Sequence, residues 1–299
     1  TLKDIAKIVG VDVSTVSRAL NNSPVVRIEL KNKIRVVAQK LNYVPNASAY
    51  SLRKRINRSI ALVFPYLKFP GGEFYQEVIR GIDEYVEEYK FSILLANFSS
   101  ENNSFIRIVR ENRVDGAIII GDIFSTKELK EIDSLSLPVV IVNQKVGFRF
   151  KHIIDVYSNN MQGAMLLTEH LVHTHKRKKM LFLGGGKKYQ TNNERIKGFK
   201  KIVEKYKIKY KIIEAKFEEI SSGYRIVKNL IKERKFDFDA IICGNDTIAI
   251  GVIKALIEEG VEVPQKVSVV GYDNIQLTQF YNIPCLLYTS DAADEGLGV

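Results

Sequence analysis

Cysteine, tryptophan and long apolar runs are scarce or absent in this chain. Only Cys243 and Cys285 occur among 299 residues, and there is no tryptophan. Two thiols cannot build a disulfide framework or a four-ligand zinc site, and such sparse usage is typical of a reducing cytoplasm. No apolar run approaches the roughly 18 to 20 residues of a membrane span, and the first residues, TLKDIAK, lack the apolar region of an export signal. We therefore expect a soluble, cytoplasmic protein without membrane contact.

Positive charge is concentrated at the start of the chain. The formal net charge is +11. Residues 1–58 contain 12 Lys and Arg against 3 Asp and Glu, whereas the remaining residues carry 33 basic and 31 acidic groups. A surplus confined to a small segment is typical of a module that neutralises phosphates, and the near-neutral remainder then has another task. A solvated basic face is the alternative if the segment shows no further pattern.

The basic segment predicts three short helices. Thr1 and Asp4 have the capping-box spacing, and Gly10 ends the first helix. Asp12 is placed to cap the second helix. The second helix is predicted over Val13–Leu20 and the third over 30–41. A tight turn therefore joins the first two helices.

From Ser59 onward, short apolar runs alternate with amphipathic stretches. The runs are IALVF, SILLA, AIIIG, VVIVN, KMLFLGG, KIIE, AIICG and VSVVG. The amphipathic stretches include residues 73–89, 160–172, 193–206, 223–234 and 247–259. Such alternation predicts parallel, doubly wound sheets. A pause around 154–158 predicts two sheets of similar size with a cleft between them, where ligands bind beyond the carboxyl ends of the strands.

The last fifteen residues differ from the rest. Residues 285–299 contain no Lys or Arg and have no usable period. We expect them to be translated adapter or vector sequence, joined to a reading frame truncated near residue 284, with no functional role.

Ordered motifs run through the chain up to about residue 284. They are LKDIA at 2–6, VDVSTVSRALN at 11–21, YVPN at 43–46, SLR at 51–53, EHL at 169–171, RIKGF at 195–199, CGNDTIAIG at 243–251 and SVVGYDN at 268–274. Together they resemble the LacI/GalR (lactose/galactose repressor) family of bacterial transcription regulators. The resemblance implies an α-helical helix-turn-helix head and an α/β, two-lobed effector domain of the periplasmic-binding-protein kind, built on doubly wound parallel sheets. The domains predicted are a DNA-binding domain (1–44), a hinge helix and linker (45–58), an effector and dimerisation domain (59–284) and the tail (285–299).

The second helix carries the predicted base contacts. A helix-turn-helix places that helix in the major groove, where Val13, Ser14 and Arg18 occupy the positions that reach base edges. Arg18 can form two hydrogen bonds with guanine, Ser14 offers a hydroxyl, and Val13 suits a thymine methyl. Thr15 and Ser17 are expected to bind phosphates. The alternatives are a solvated helix end for Arg18 and surface packing for Val13.

The resemblance also implies a hinge helix that begins after Pro45. Eight residues cannot sustain a helix alone, so it would fold when two copies meet in the minor groove. Leu52 would then insert between base steps as an apolar wedge, while Asn46, Arg53 and Lys54 would contact DNA. The alternative is that Leu52 packs on the head.

Four residues of the large domain are predicted to bind the effector. The resemblance implies this role for Arg195, Asn245 and Asp273, and donors facing acceptors across a cleft suit a sugar. Phe74 could add a stacking wall, although aromatic residues at such spacing are more often core. Asp246 can be explained as the cap of the helix that follows it. This chain has Asn159-Asn160 where the family usually has an acidic residue before asparagine. Of all the features that the resemblance implies, the identity of the effector is therefore the one least safely carried over to this chain.

Other chemistries find little support. The three glycines at 184–186 lack a dinucleotide or P-loop register. His170, His173 and His175 invite a metal interpretation, but their spacing scatters them around a helix end. No serine occurs in a nucleophile motif such as G-x-S-x-G. We therefore predict no catalytic residue, no metal and no cofactor.

The prediction is a homodimeric, ligand-controlled repressor that binds a pseudo-palindromic, double-stranded DNA operator. The competing classes are a sugar-binding receptor, an enzyme acting on sugars or nucleotides, and a nucleoid-type protein without sequence preference. The first would carry an export signal, the second an acid/base pair or phosphate loop, and the third no ligand-type domain. The sequence leaves open the effector, the choice between inducer and corepressor, the operator, the genes controlled, and dimer against tetramer.

Overall fold

The computed structural model describes residues 1–43, 56–64, 73–98, 103–121, 124–186, 188–216 and 219–280. The chain forms two compact units, Thr1–Asn57 and Arg58–Val299. The predicted hinge helix and the predicted tail lie outside the described residues.

The first unit contains the three predicted helices. They are α1 (Leu2–Val9), α2 (Val13–Leu20) and α3 (Ile28–Lys40). The capping box is confirmed, since the Thr1 hydroxyl accepts from the Asp4 N–H. Gly10 ends α1 with a positive φ of 77°, a conformation that glycine adopts at little cost. Asp12 is the N-cap residue of α2, as predicted, but its exposed carboxylate makes no capping hydrogen bond.

A small apolar core joins these helices. Residues from all three helices and from the turn before α3 are buried together: Ile5, Ala6, Val9, Val16, Ala19, Val26, Ile34 and Ala38. Each helix therefore presents one apolar stripe inward and leaves its opposite face to solvent.

The second unit begins with a five-stranded parallel sheet, which we call the first lobe. Its strands are β1 (Ser59–Phe64), β2 (Ser92–Asn97), β3 (Gly116–Ile120), β4 (Val139–Val142) and β5 (Ile153–Val156), in the order β2-β1-β3-β4-β5. Its helices are α4 (Glu73–Glu88), α5 (Ser104–Arg110) and α6 (Thr126–Ser134).

A four-stranded parallel sheet forms the second lobe. Its strands are β6 (Lys179–Gly184), β7 (Lys209–Glu214), β8 (Ala240–Cys243) and β9 (Ser268–Val270), in the order β7-β6-β8-β9. Its helices are α7 (Asn160–His173), α8 (Gln190–Lys205), α9 (Ile220–Lys232) and α10 (Asp246–Glu258), followed by a 3₁₀ helix (Gln276–Phe280). Apolar clusters cover both faces of each sheet, so two doubly wound parallel sheets of similar size are confirmed.

The structure corrects the predicted pause between the two sheets. Residues 153–156 form β5, which pairs in parallel with β4. Ile153 is buried, whereas Ile154 and Val156 are 63% and 57% exposed, so this edge strand lacks the continuous apolar run of a central strand. The short helices α5 and α6 have a weak sequence pattern as well, because each buries only two or three side chains.

Candidate functional site

The exposed face of α2 carries the predicted base-reading residues. Val13 is 39% exposed, and Ser14 and Arg18 are exposed as well. Thr15 and Ser17 are half-buried at the edge of this face. Val16 and Ala19 point the other way, into the core of the head. The helix therefore presents Val13, Ser14 and Arg18 together to solvent, as an element that enters a groove must do.

The first unit also carries further exposed cations. Those exposed in the described part of the head are Lys3, Lys7, Arg18, Arg27, Lys33, Arg35 and Lys40. Lys31, by contrast, is 7% exposed and donates to the Asn22 carbonyl over 3.3 Å. Several exposed cations on a small helical unit attract a polyanion.

Arg195 is the centre of a buried polar cluster in the second lobe. It lies on α8 and is 6% exposed. Its Nε donates to Asn160 Oδ1 over 2.9 Å, one terminal nitrogen donates to the Gly244 carbonyl, and the other lies 3.2 Å from Asp273 Oδ1. Gly244 follows β8 and Asp273 follows β9, and the carboxyl ends of parallel strands meet at one edge of the sheet. The structure therefore brings the predicted Arg195 and Asp273 together at that edge.

An aromatic ring and an acidic group complete the surroundings of the guanidinium. The Arg195 guanidinium carbon lies 3.5 Å from the centre of the Tyr272 ring, a stacked cation–π arrangement. Burial raises the pKa of Asp273 to about 6, and the neighbouring Arg195 opposes this rise. The pair therefore offers both a fork of donors and a carboxylate acceptor in a largely dry setting, which suits recognition of hydroxyl or amide groups.

Asn245, and not Asp246, caps the helix that follows β8. Asn245 is the N-cap of α10, and its Oδ1 accepts from the Ile248 N–H over 2.9 Å. The explanation of Asp246 as that cap is therefore wrong, since Asp246 is already inside the helix. Asn245 remains beside Gly244 at the cluster, but its side-chain oxygen is committed to the helix.

Phe74 lies in the first lobe, near the N-terminal end of α4. Its half-buried ring contacts the Tyr75 ring edge-on at 5.4 Å, and Tyr75 in turn contacts Phe64 of β1 at 6.5 Å. This position follows the carboxyl end of β1. The role of Phe74 as a wall of the effector site stays a prediction.

A reciprocal contact joins the two lobes close to Arg195. Gln190, the first residue of α8, accepts from the Lys145 N–H over 2.6 Å and donates to the Lys145 carbonyl over 3.0 Å. Lys145 belongs to the segment after β4 of the first lobe. On the same helix, burial raises the pKa of Glu194, and the charges of Lys145 and Lys197 oppose this rise. The helix that carries Arg195 thus also carries a direct link to the other lobe.

The structure corrects the spacing argument for the histidines. His170 and His175 lie together, with their Nε2 atoms 3.1 Å apart, because the chain turns back after α7 ends at His173. His173 points elsewhere, with its ring against Tyr206 at 4.8 Å. Within the part of the chain that the structure describes, no three His, Cys, Asp or Glu side chains are grouped as metal ligands.

Several members of the cluster were not predicted from the sequence. Asn160, the Gly244 carbonyl and Tyr272 all contact Arg195, yet they come from three different segments. Gly244 and Tyr272 are neighbours of the predicted Asn245 and Asp273, and Asn160 lies in the Asn159-Asn160 pair, but nothing in the sequence shows that these residues contact Arg195. Asn46, Leu52, Arg53 and Lys54 lie outside the described residues. Among the described helices, none has the length and apolar character that a membrane span requires.

Comparisons with known proteins agree with this architecture. Residues 1–46 match the model for bacterial regulatory proteins of the lacI family, and residues 57–298 match the model for periplasmic binding proteins and the sugar binding domain of the LacI family. The HTH-type transcriptional repressor PurR of Actinobacillus pleuropneumoniae serotype 3 (strain JL03) is 30% identical and aligns with all of this chain and 88% of its own length.

Solved structures share the fold. The lac repressor dimer bound to operator and the anti-inducer ONPF has a TM-score of 0.83 at 21% identity, covering 96% of this chain and 86% of that chain. The complex of the transcriptional regulator CelR with cellobiose has a TM-score of 0.65 at 23% identity, covering 94% and 84%. The head, the two lobes and the family matches together establish that this chain belongs to the LacI family, as a transcriptional repressor with a helix-turn-helix domain and a ligand-binding domain rather than an enzyme.

Proposed function

We propose that this protein is a sequence-specific repressor, controlled by a small-molecule effector that binds at the Arg195 cluster. The observation that carries the proposal is the buried Arg195 guanidinium, held between Asp273, Asn160 and the Gly244 carbonyl. A buried cation with this many fixed partners is costly to build. Its position at the carboxyl ends of β8 and β9 is where ligands of such sheets bind.

A sugar is the effector class that the cluster supports best. Sugar hydroxyls need donors and acceptors together, and Arg195 uses three of its five N–H groups within the chain. Asp273 adds a carboxylate, and the Asn245 amide nitrogen adds a donor after its oxygen has capped α10. The family description of residues 57–298 as a sugar binding domain points the same way. The Phe74 ring would stack against one face of the sugar.

A purine base is the second candidate. The aromatic pair Phe74 and Tyr75 could stack on a planar ring, and a curated relative carries the name PurR. A panel of ribose, cellobiose, adenine, guanine and hypoxanthine, measured by isothermal titration calorimetry, separates the two classes. We expect one class to bind wild type and to lose binding in Arg195→Ala, with Lys197→Ala as the exposed control on the same helix. Equal binding by wild type and Arg195→Ala would contradict the assignment.

On the DNA side, we propose that Arg18 reads guanine and that Ser14 and Val13 contact neighbouring bases. Thr15 and Ser17 would bind phosphates, as would Arg53 and Lys54. Asn46 and Leu52 would act in the minor groove, where Leu52 would wedge between base steps. The exposure of Val13, Ser14 and Arg18 on one helix supports this arrangement. Operator selection from a random DNA pool, followed by anisotropy titrations, tests it.

We further propose that the repressor acts in the cytoplasm as a homodimer on a pseudo-palindromic operator. Light scattering after gel filtration measures the oligomeric state, and the symmetry of the selected operator gives an independent check. Adding the effector to a DNA titration then decides its sign: an inducer weakens operator binding and a corepressor strengthens it.

A further inference from the structure

Asp246 lies directly beneath the loop that carries Asp273. It is the first residue of α10 and its side chain is fully buried. Its backbone N–H donates to the Tyr272 carbonyl over 2.9 Å, and its Oδ2 accepts from the Ile275 N–H over 2.9 Å. One residue therefore binds both ends of the loop 272–275.

Two consecutive residues of this loop have positive φ angles, which surrounding contacts must stabilise. Asp273 has a φ of 108° and Asn274 a φ of 55°, both in the left-handed region that side chains other than glycine rarely adopt. Such conformations persist when surrounding contacts determine them. The carboxylate of Asp273 reaches Arg195 from this conformation. The bonds to Asp246 are therefore in the right place to set the direction of Asp273.

The fit between Asp246 and the chain before the loop is close. A Cβ added to Gly271 would lie 2.0 Å from Asp246 Oδ1, so glycine at 271 lets the backbone approach the carboxylate. In the described part of the chain, Oδ1 has no hydrogen-bond partner. Leaving a buried carboxylate oxygen without a partner is costly, and α10 is already capped by Asn245. Capping of α10 therefore does not account for an acid at this position.

We propose that Asp246 is a positioning residue that holds the loop 272–275 so that Asp273 faces Arg195 and the effector. This inference rests on the proposed function of the Arg195 cluster. It assigns Asp246 no contact with the effector itself.

Hydrogen exchange of the full chain, followed by mass spectrometry, tests the positioning without any ligand. In Asp246→Ala we expect peptides that contain residues 272–276 to exchange about tenfold faster, while peptides from β6 and β8 keep their wild-type rates. Asp246→Asn should restore slow exchange because its amide oxygen can still accept from Ile275. Asp239→Ala is the matched control, since Asp239 accepts from the Lys178 and Lys179 N–H groups over 2.8 and 2.9 Å, away from this loop.

Calorimetry with ribose, cellobiose, adenine, guanine and hypoxanthine supplies the second readout. For a compound that binds wild type, Asp246→Ala should bind about tenfold more weakly, whereas Asp246→Asn and Asp239→Ala should bind nearly as wild type does. Wild-type exchange across 272–276 in Asp246→Ala, or faster exchange spread evenly over the second lobe, would overturn the proposal. If wild type binds none of these compounds, the proposed effector class fails, and the exchange data alone still decide the role of Asp246.

Discussion

The ion pair between Arg195 and Asp273 should be the most sensitive polar interaction of the second lobe. Their side chains are 7% and 16% exposed, and the joining atoms lie 3.2 Å apart. Removing one partner of such a pair leaves an uncompensated buried charge, so Arg195→Ala should lower the free energy of unfolding by about 3–5 kcal/mol. This decrease includes the hydrogen bonds that Arg195 donates to Asn160 and to the Gly244 carbonyl.

A double-mutant cycle isolates the contribution of the pair. Asp273→Asn alone should cost about 1–3 kcal/mol, because the neutral amide still accepts a hydrogen bond. The variant with both changes should be about 1–3 kcal/mol more stable than the sum of the two single losses predicts. Each single change leaves the remaining residue without its partner, whereas the double change leaves no such residue. Urea unfolding followed by circular dichroism is the suitable assay, as the chain has no tryptophan.

An exposed pair provides the control for this cycle. Lys179 and Asp237 lie 2.7 Å apart with side chains 42% and 78% exposed, so Lys179→Ala should cost no more than about 1 kcal/mol. If Arg195→Ala lost as little as Lys179→Ala, or the cycle gave additive energies, the cluster would not be the tightly coupled site described above.

Three further predictions follow from particular contacts. Burial raises the pKa of Asp246 from 3.8 to about 7, so the folded state holds the proton more tightly than the unfolded chain does. The free energy of unfolding should therefore be highest below pH 4 and should fall by up to about 4 kcal/mol as the pH rises through 7. Urea unfolding across this range should show a flatter profile for Asp246→Asn, and an unchanged slope would refute the assignment. Gly251→Ala would put a Cβ 1.9 Å from the Ile220 carbonyl oxygen and should lower the free energy of unfolding by at least about 1–3 kcal/mol. Gly81→Ala, whose added Cβ meets nothing within 4 Å, should raise it by about 0.5–1 kcal/mol. Thermal unfolding measures both variants, and equal shifts would count against the close packing of α9 on α10. Arg18→Ala should abolish the preference for a selected operator over random DNA in anisotropy titrations, and a retained preference would exclude Arg18 as the base reader.

Much of the local structure could be predicted because it depends on neighbours in the sequence. The bounds of α2 and the capping box of α1 follow from local spacing, and both are confirmed. The strand β5 was missed because an edge strand with alternate burial has no continuous apolar run. Asp12 is at the predicted N-cap position, but the missing side-chain bond could not be predicted, since a residue type suited to capping does not by itself orient the side chain.

The sequence by itself determined the basic head and the alternation that builds two parallel sheets, and the resemblance carried by its motifs predicted Arg195 and Asp273 as site residues. Only the tertiary structure decided what these residues contact. Arg195 meets partners 35, 49 and 78 positions away along the chain, and no local pattern encodes such separations. The carboxyl ends of parallel strands converge only after the sheet has formed, so the place of Asp246 beneath its loop became visible with the fold.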